Sequence, residues 1–215
     1  MRAAAGFSLV EVLLALSLGL LVVMAGSRVF IAALQSWQAQ EVAAGLQEDA
    51  RFVLQRLARD IRMAGMFGCL RPEAMTFTSP ATEQAFSRPV SLERTGDGTL
   101  HSLTLISAQA GELGGAPDWT LITDCRTTAD VVEGVAPPRA GTFTVPLRRQ
   151  VYRLNAADLL LSSGGSNAVL IGNISRLDVE QETDLLKLRL TLDDPQRRVR
   201  AQTYHLAVAF RNGWP

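Results

Sequence analysis

The stretch that decides the fold is GFSLVEVLLALSLGLLVVMAG, residues 6–26. Between Phe7 and Ala25 the only charged residue is Glu11. At about 1.5 Å per residue, a helix over residues 7–25 is about long enough to cross the roughly 30 Å of hydrocarbon in a bilayer. The sequence therefore predicts a membrane-spanning helix with one acid inside it, where an unpaired carboxylate is costly.

Composition places the rest of the chain among folded proteins. Its 215 residues are 47% hydrophobic, which suits one ordinary domain plus an appendage. The 21 basic and 21 acidic residues cancel, so no overall field would draw the protein to nucleic acid or to an acidic surface. Nucleic acid is therefore not an expected partner, and partners must recognise local features.

Two other kinds of N-terminal segment share this apolar character. A secretory signal peptide would have a charged start, a shorter apolar region and a small-residue cleavage site. Here the part before the run is only Met1–Gly6, and helical sequence continues through Ser27 and Arg28 without such a site. An ordinary single-span anchor stays open, but it gives no reason for Glu11 inside the apolar stretch.

The hexapeptide Gly6-Phe7-Ser8-Leu9-Val10-Glu11 resembles the type IV prepilin signature. In that family a short basic leader ends in Gly, and Phe and then Glu follow at the first and fifth positions of the mature chain. The resemblance implies that a membrane-embedded aspartyl prepilin peptidase cuts between Gly6 and Phe7 and N-methylates Phe7. Residues 1–6 would then be the leader.

The resemblance also gives Glu11 a physical role. Cleavage would create an α-ammonium at Phe7, and four residues of helix place Glu11 about 6 Å away along the axis. In a filament of staggered helices, Glu11 of one subunit can neutralise the Phe7 ammonium of a neighbour. Burial would penalise a misregistered arrangement, since it would leave two charges unpaired. The alternative is an interfacial Glu that reaches to water.

After the span the pattern becomes amphipathic. One helical face is apolar, with residues three or four positions apart: Val42, Leu46, Ala50, Val53, Leu57, Ile61 and Ala64. Because no Pro occurs before Pro72, a nearly continuous helix is expected from about Phe7 to about Met66. Residues 7–27 would form its membrane or filament-core half, and residues 28–68 its amphipathic half. The apolar stripe does not hold a strict heptad, so it needs a folded partner rather than a coiled coil.

Residues 69–215 are expected to form a β-rich globular domain. Short alternating or apolar runs predict strands at residues 103–106, 150–154, 168–171, 177–180, 186–192 and 204–210. The stretches Pro72–Arg94 and Thr127–Ala140 are interpreted as loops because they contain several prolines. The predicted fold class is α+β, with the second half of the helix packed on an antiparallel sheet, as in type IV pilins.

Two further stretches narrow the resemblance. Residues 60–69, DIRMAGMFGC, are similar to the D-I-R-x-A-G-[aromatic]-x-G-C stretch of PilW-type minor pilins. Met66 stands where that family has an aromatic residue, and Phe67 is expected to serve instead. Further likenesses to the same family lie at residues 152–159, 169–174, 177–179 and 210–212.

Cys69 and Cys125 are the only cysteines. An even count in a domain outside the cytoplasm favours a disulfide, which would tie the end of the helix to the sheet. A zinc site is a poor alternative, because the two Cys with His101 and His205 contain no close-spaced ligand pair. Two free buried thiols are the other alternative.

Enzymatic function is not favoured. The sequence contains no G-x-S-x-G, H-E-x-x-H or G-K-[ST] motif, no cofactor is expected, and His205 lies in a strand pattern. Arg197-Arg198-Val199-Arg200 could touch phosphates, but a short basic run without aromatics is more often a solvated turn. Asp193 and Asp194 could hold calcium, although such a turn alone is weak evidence.

The resemblance implies a minor pilin of the PilW kind, in a priming or tip complex that serves twitching motility, adhesion or DNA uptake. Implied partners are the prepilin peptidase, the inner-membrane assembly platform, the major pilin, other minor pilins and a tip adhesin. The protein would lie in the inner membrane with a periplasmic C-terminal domain, and later in the pilus on the cell surface. Two alternatives stay open, namely a type II secretion pseudopilin of the J kind and a single-span anchored periplasmic binding or sensor domain.

Overall fold

The structure, a computed structural model, describes residues 8–109 and 115–211. The chain forms two compact units, Met1–Gly45 and Leu46–Pro215. One helix, α1 (Leu9–Met63), supplies the described residues of the first unit from Leu9 onward and the opening segment of the second. The predicted start at Phe7 lies outside the described residues.

In the first unit α1 is uninterrupted. The helix continues through Gly19, Gly26 and Gly45, although each glycine costs roughly 1 kcal/mol relative to Ala in a helix interior. Its large apolar side chains are exposed, Leu9 by 75% and Val22 by 71%. Among its described residues this unit therefore fully buries no large apolar side chain, and Val42 is partly buried.

In the second unit α1 packs one face into the domain. The buried residues are Leu46, Ala50, Val53, Leu57, Ala58 and Ile61. These include the predicted apolar positions from Leu46 to Ile61. The helical period of the sequence therefore identified the packing face correctly.

The helix ends at Met63 rather than at about Met66. Gly65 takes a positive φ of 77°, which a glycine adopts without the penalty of a Cβ. Its N–H donates to the carbonyl of Ile106 at 2.9 Å instead of continuing the helical ladder. Pairing with a strand thus ends α1 before the predicted position.

The remaining elements follow in chain order. A short 3-10 helix covers Pro72–Ala74, and a second α-helix, α2, covers Pro80–Ser87. The strands are β1 (Thr76–Phe77), β2 (Val90–Arg94), β3 (Leu100–Ala108), β4 (Trp119–Thr123), β5 (Ala129–Glu133), β6 (Phe143–Asn155), β7 (Asp158–Ser163), β8 (Ser166–Ile171), β9 (Ile174–Glu182), β10 (Leu185–Leu192) and β11 (Gln202–Ala209).

The described strands form two sheets. The larger has eight strands in the order β1-β5-β4-β6-β3-β2, with β7 paired to β6 and β8 paired to β7. It is mixed, because β1 pairs with β5 in parallel while its other pairs are antiparallel. The long β6 joins β3, β4 and β7. A single antiparallel sheet was expected, so the structure corrects that prediction while retaining the α+β class.

The smaller sheet is antiparallel, in the order β11-β10-β9. An isolated bridge between Thr99 and Asp178 connects it to the start of β3. The Arg94 guanidinium also donates to the Val179 carbonyl at 3.4 Å. The two sheets therefore meet where β2 and β3 approach β9.

The six predicted strands lie in β3, β6, β8, β9, β10 and β11, but both predicted loops are wrong. Pro72–Arg94 contains β1, α2 and β2, and Thr127–Ala140 contains β5. Pro80 occupies the first turn of α2, where proline needs no N–H partner, and Ser79 accepts from the Thr82 N–H at 3.2 Å as the helix cap. Pro72 and Pro80 therefore begin helices, and the presence of proline did not exclude regular secondary structure.

Candidate functional site

The first candidate site is the exposed apolar part of α1. Within the described residues this is the one helix long and apolar enough, by length and composition, to cross a membrane. None of its most apolar window is buried. Residues 12–27 carry no charge, and the next charged residue after Glu11 is Arg28. The segment can therefore lie in lipid or against apolar partner helices.

The polar side chains in this segment differ in whether they have a hydrogen-bond partner. The Ser17 hydroxyl donates to the Leu14 carbonyl and the Ser27 hydroxyl to the Val23 carbonyl, both at 2.9 Å. Such bonds within the helix let hydroxyls lie in an apolar medium. In the described part of the chain, the Glu11 side chain has no hydrogen bond and no ion pair. Glu11 is therefore the group in this segment that needs an outside partner.

The other two residues of the prepilin motif, Gly6 and Phe7, lie outside the described residues. Cleavage after Gly6, methylation of Phe7 and pairing of Phe7 with Glu11 accordingly stay predictions. Glu11 lies in the first turn of α1, where the positive end of the helix dipole favours an acid.

The second candidate site is the junction between α1 and the sheets. Tyr152, on β6, is fully buried, and its hydroxyl donates to the Asp60 carboxylate on α1. Arg56, one turn earlier, places its Nε 3.5 Å from the same carboxylate. The Asp60 carboxylate, near the end of α1, is thus held by a side chain from β6 in the middle of the larger sheet.

Burial dominates the electrostatics of this contact. It raises the pKa of the Tyr152 phenol far above the ordinary value, and the neighbouring Asp60 charge adds to the shift. The phenol therefore stays protonated and keeps its donor role at any physiological pH. The ion pair with Arg56 keeps Asp60 from being an unpaired charge at the edge of the core.

The segment that follows α1 is attached to β3 through its backbone. In addition to the Gly65 contact, the Ala108 N–H donates to the Met66 carbonyl at 2.6 Å. Phe67 is buried against Phe86, with ring centroids 4.5 Å apart, whereas Met66 is 37% exposed. Of these two residues, Phe67 therefore supplies a buried aromatic side chain to the core.

Gly68 is fixed by close packing. A Cβ at this position would lie 2.8 Å from the Leu121 Cδ2 atom. Phe86 also meets Trp119 edge to face at a centroid distance of 5.3 Å, and the Arg149 guanidinium lies 4.9 Å from the Trp119 ring centre. The DIRMAGMFGC stretch thus joins α1, β3 and the aromatic core in consecutive residues.

Cys69 and Cys125 form a disulfide with their Cα atoms 5.4 Å apart and a sequence separation of 56. This is the pairing that the sequence predicts, and no free cysteine is present in the described residues. Cys125 has a φ of 57°, in a turn between β4 and β5 held by Asp124. The Asp124 carboxylate accepts the N–H groups of Arg126, Thr127 and Thr128, each at 2.9 Å, and these bonds lower its pKa.

Two of the candidate calcium and phosphate ligands, Asp194 and Arg198, instead bind each other. The Asp194 carboxylate is 2% exposed and accepts from the Arg198 N–H at 2.7 Å and from the Arg198 guanidinium at 2.8 Å. These bonds, that guanidinium first, lower the pKa of Asp194. The described residues contain no group of three or more acidic, His or Cys side chains suited to a metal ion. The DDP turn and the basic run are therefore one structured loop.

Sequence reasoning did not find the Tyr152–Asp60 contact or the aromatic cluster around Phe86. Asp60 and Tyr152 lie 92 positions apart, and no local pattern connects them. Helix α2 did carry a signal, since Ser79-Pro80 is a usual start for a helix. His101 and His205 are exposed on β3 and β11 and lie in strands, as expected for His205.

Comparisons of the chain with family models, with curated proteins and with solved structures found no match.

Proposed function

We propose that this protein is a minor pilin of the PilW kind, which takes part in type IV pilus biogenesis. It is cleaved after Gly6, held in the inner membrane by the apolar part of α1, and carries the β-rich domain of residues 69–215 in the periplasm. With other minor pilins it forms a priming or tip complex. The prepilin peptidase, the assembly platform, the major pilin and a tip adhesin are its further partners.

The observation that carries the proposal is the state of Glu11. Among the described residues its carboxylate has no partner, whereas the Ser17 and Ser27 hydroxyls of the same exposed apolar segment bond within the helix. The helix dipole favours an acid in the first turn, but an unpaired charge in hydrocarbon is still costly for an anchor that only needs to insert. A subunit that must assemble in one register gains from such a group, because a new cation at Phe7 of a neighbour supplies the missing partner only when the two helices are correctly staggered.

The junction between α1 and the domain supports the same function. A filament subunit must transmit position from its core helix to its surface domain. Here the end of α1 is tied down by a buried tyrosine contact, by strand pairing of residues 65–66, and by a disulfide six residues after the helix ends. These ties suit a helix that is fixed to its globular domain during assembly.

The N-terminus of the mature protein tests the proposal directly. We expect intact-mass and N-terminal analysis of protein from membranes to give a chain that begins at Phe7 with one added methyl group. Gly6→Val should leave the leader uncut, because it adds bulk beside the scissile bond, whereas Gly19→Ala serves as the matched control and should be processed normally. An intact Met1 in the unmodified protein, or removal beyond Ala25, would reject the proposal.

A second experiment separates anchoring from assembly. Glu11→Ala should leave membrane insertion intact or improve it, and should abolish incorporation into pili or into the minor-pilin complex. Glu41→Ala, which removes an exposed acid from the same helix beyond its most apolar part, is the matched control and should assemble normally. Normal pili in the Glu11→Ala strain would show that the pairing argument is wrong.

Complementation distinguishes pilus assembly from type II secretion. In a strain that lacks this gene, the protein should restore piliation and twitching. Restoration of protein secretion with no effect on pili would assign it to a pseudopilus instead. An effect on neither process would favour the anchored binding or sensor domain.

A further inference from the structure

The smaller sheet ends in a long strand with a free edge. In the described part of the chain, β11 pairs with β10 on one side and with no strand on the other. Its pairing with β10 runs from Leu185↔Ala209 to Leu192↔Gln202 without a register shift. The edge is therefore regular over the whole of β11.

The direction of its backbone groups follows from one hydrogen bond. The Phe210 N–H donates to the Asp184 carbonyl at 3.0 Å, so this pair bonds towards β10. In antiparallel pairs the bonding direction alternates from residue to residue. The even-numbered residues of β11 therefore bond to β10. The N–H and C=O groups of Thr203, His205, Ala207 and Ala209 point out of the sheet.

The other described edges are shorter, less regular or partly covered. Strand β1 has two residues, β2 ends in a bulge at Glu93 and Arg94, and the β7–β8 pair has a bulge at Leu159. The outer side of β9 meets Thr99 and the Arg94 side chain. In contrast β11, QTYHLAVA, contains no proline, charged residue or bulge. Proteins usually block such edges, so an open one indicates a place for another strand.

The burial pattern also indicates a missing strand. On β10 the core-facing side chains of Leu186, Leu188 and Leu190 are at most 2% exposed. On β11 the same layer continues with Tyr204 and Leu206, which are only half-buried. The apolar layer thus extends to the edge and remains partly uncovered there. An added strand with apolar side chains on this face would complete it.

The strand that fits this edge is β11 of a second copy of the chain. Antiparallel pairing centred on Leu206 would bring Leu206 opposite its own copy and Tyr204 opposite Val208. On the outer face Thr203 would lie opposite Ala209, and His205 opposite Ala207. Each large side chain meets a small or aliphatic one, and no like charges meet. The edge is therefore self-complementary, as a two-fold interface requires.

We propose that β11 is a docking edge for a second copy of this chain, joined in the Leu206-centred antiparallel register. The small sheets of two copies then form one continuous six-stranded sheet. The interface requires only the β domain and does not depend on prepilin processing. It provides an association of unassembled subunits that differs from any contact made by their apolar helices.

Cysteine cross-linking tests the register in the full chain in detergent or nanodiscs. The native cysteines are paired, so an introduced thiol reports alone. Leu206→Cys should give a disulfide-linked dimer under mild oxidation, because directly opposed residues at a non-hydrogen-bonded pair lie about 4.5 Å apart between Cα atoms. Thr203→Cys is the matched control and should give none, since it would lie far from its own copy.

A backbone variant tests the hydrogen bonds. Ala207→Pro removes an outward N–H and leaves the β10 pairing untouched, which is where an edge strand tolerates proline. Two intermolecular bonds are lost by symmetry, so the dimer dissociation constant from analytical ultracentrifugation should rise about tenfold or more. Ala207→Ser keeps the N–H and the small size and should leave it unchanged. Unchanged thermal unfolding would show that each variant is folded.

Several outcomes would overturn the proposal. These are a monomeric unmodified protein, equal cross-linking at positions 203 and 206, or a dimer that Ala207→Pro does not weaken. Cross-linking of Leu206→Cys exclusively to a different protein would also reject a second copy as the occupant. Because these readouts need no cleaved leader and no pili, they can fail while the proposed function holds, and the reverse is equally true.

Discussion

Two parts of helix α1 differ in their composition and in their burial. Between Leu9 and Ser27, α1 carries no charge except Glu11, and all of its residues are exposed. Between Leu46 and Met63 it is amphipathic, and one stripe of six residues is buried in the domain. An all-round apolar helix needs an apolar surrounding, whereas a striped helix needs one packed neighbour. The comparison teaches that continuous backbone geometry can join two segments whose stability has separate sources.

Among the variants that test this difference, loss of the disulfide should have the largest effect on the stability of the second unit. Replacing Cys69 and Cys125 together by Ser should lower the free energy of unfolding of the second unit by about 4 kcal/mol, by the chain-entropy estimate for a loop of this length. Denaturant unfolding of the full chain in detergent, followed by tryptophan fluorescence, measures it. The helical signal of the apolar segment should survive the transition. A loss of both together would contradict separate stabilities.

Leucine truncation in the two parts of α1 is the next test. Leu57→Ala should cost about 3 kcal/mol of domain stability, because Leu57 is 1% exposed and its removal leaves a cavity. Leu14→Ala, in the exposed apolar part, is the matched control and should leave the same unfolding transition unchanged. Equal destabilisation by both variants would show that the apolar segment packs on the domain.

A smaller effect is expected at the junction. Tyr152→Phe removes the hydroxyl that donates to Asp60 and should cost about 1–2 kcal/mol in denaturant unfolding. Ser17→Ala also removes a hydroxyl hydrogen bond, but from the apolar segment, and should not change the domain transition. A neutral Tyr152→Phe would mean that the contact adds nothing beyond ring packing.

The smallest effect is a dependence on pH. Hydrogen bonds from Thr95 and Thr99 lower the pKa of Asp97 to about 2. Since its folded pKa lies below the unfolded value of about 3.9, the unfolded state binds more protons between these values. The contribution of Asp97 is thus complete above about pH 4 and is lost as the pH falls through about 2.

Stability of the second unit should therefore decline from about pH 4 to about pH 2, with Asp124 and Asp194 acting in the same direction. Denaturant unfolding at a series of pH values measures the slope. Asp97→Asn should reduce it, whereas Asp184→Asn, at an exposed carboxylate with no side-chain hydrogen bond in the described residues, should not. An identical slope in both variants would assign the acid sensitivity elsewhere.

Local sequence patterns predicted the elements whose cause is local. The absence of proline before Pro72 and the helical spacing of apolar residues predicted α1 and its packing face. Alternation predicted β10, in which every second residue from Leu186 to Leu192 is a buried leucine. The strands β4 and β5 were missed because β4 is buried at all five positions and β5 borders a proline-containing stretch. Strand β4 therefore lacks the alternation that marks a half-exposed strand, whereas β5 does alternate, but over only five residues.

The sequence by itself determined the long helix, its change from apolar to striped, the disulfide pair and the α+β class, because each depends on residues close in the chain or on a count of two cysteines. Only the tertiary structure decided the two-sheet division, the Tyr152–Asp60 contact, the end of α1 at Met63 and the open edge of β11. Each of these depends on which distant segments pair, for example Gly65 with Ile106. Pairing across such separations is selected by the whole packed core rather than by local propensity.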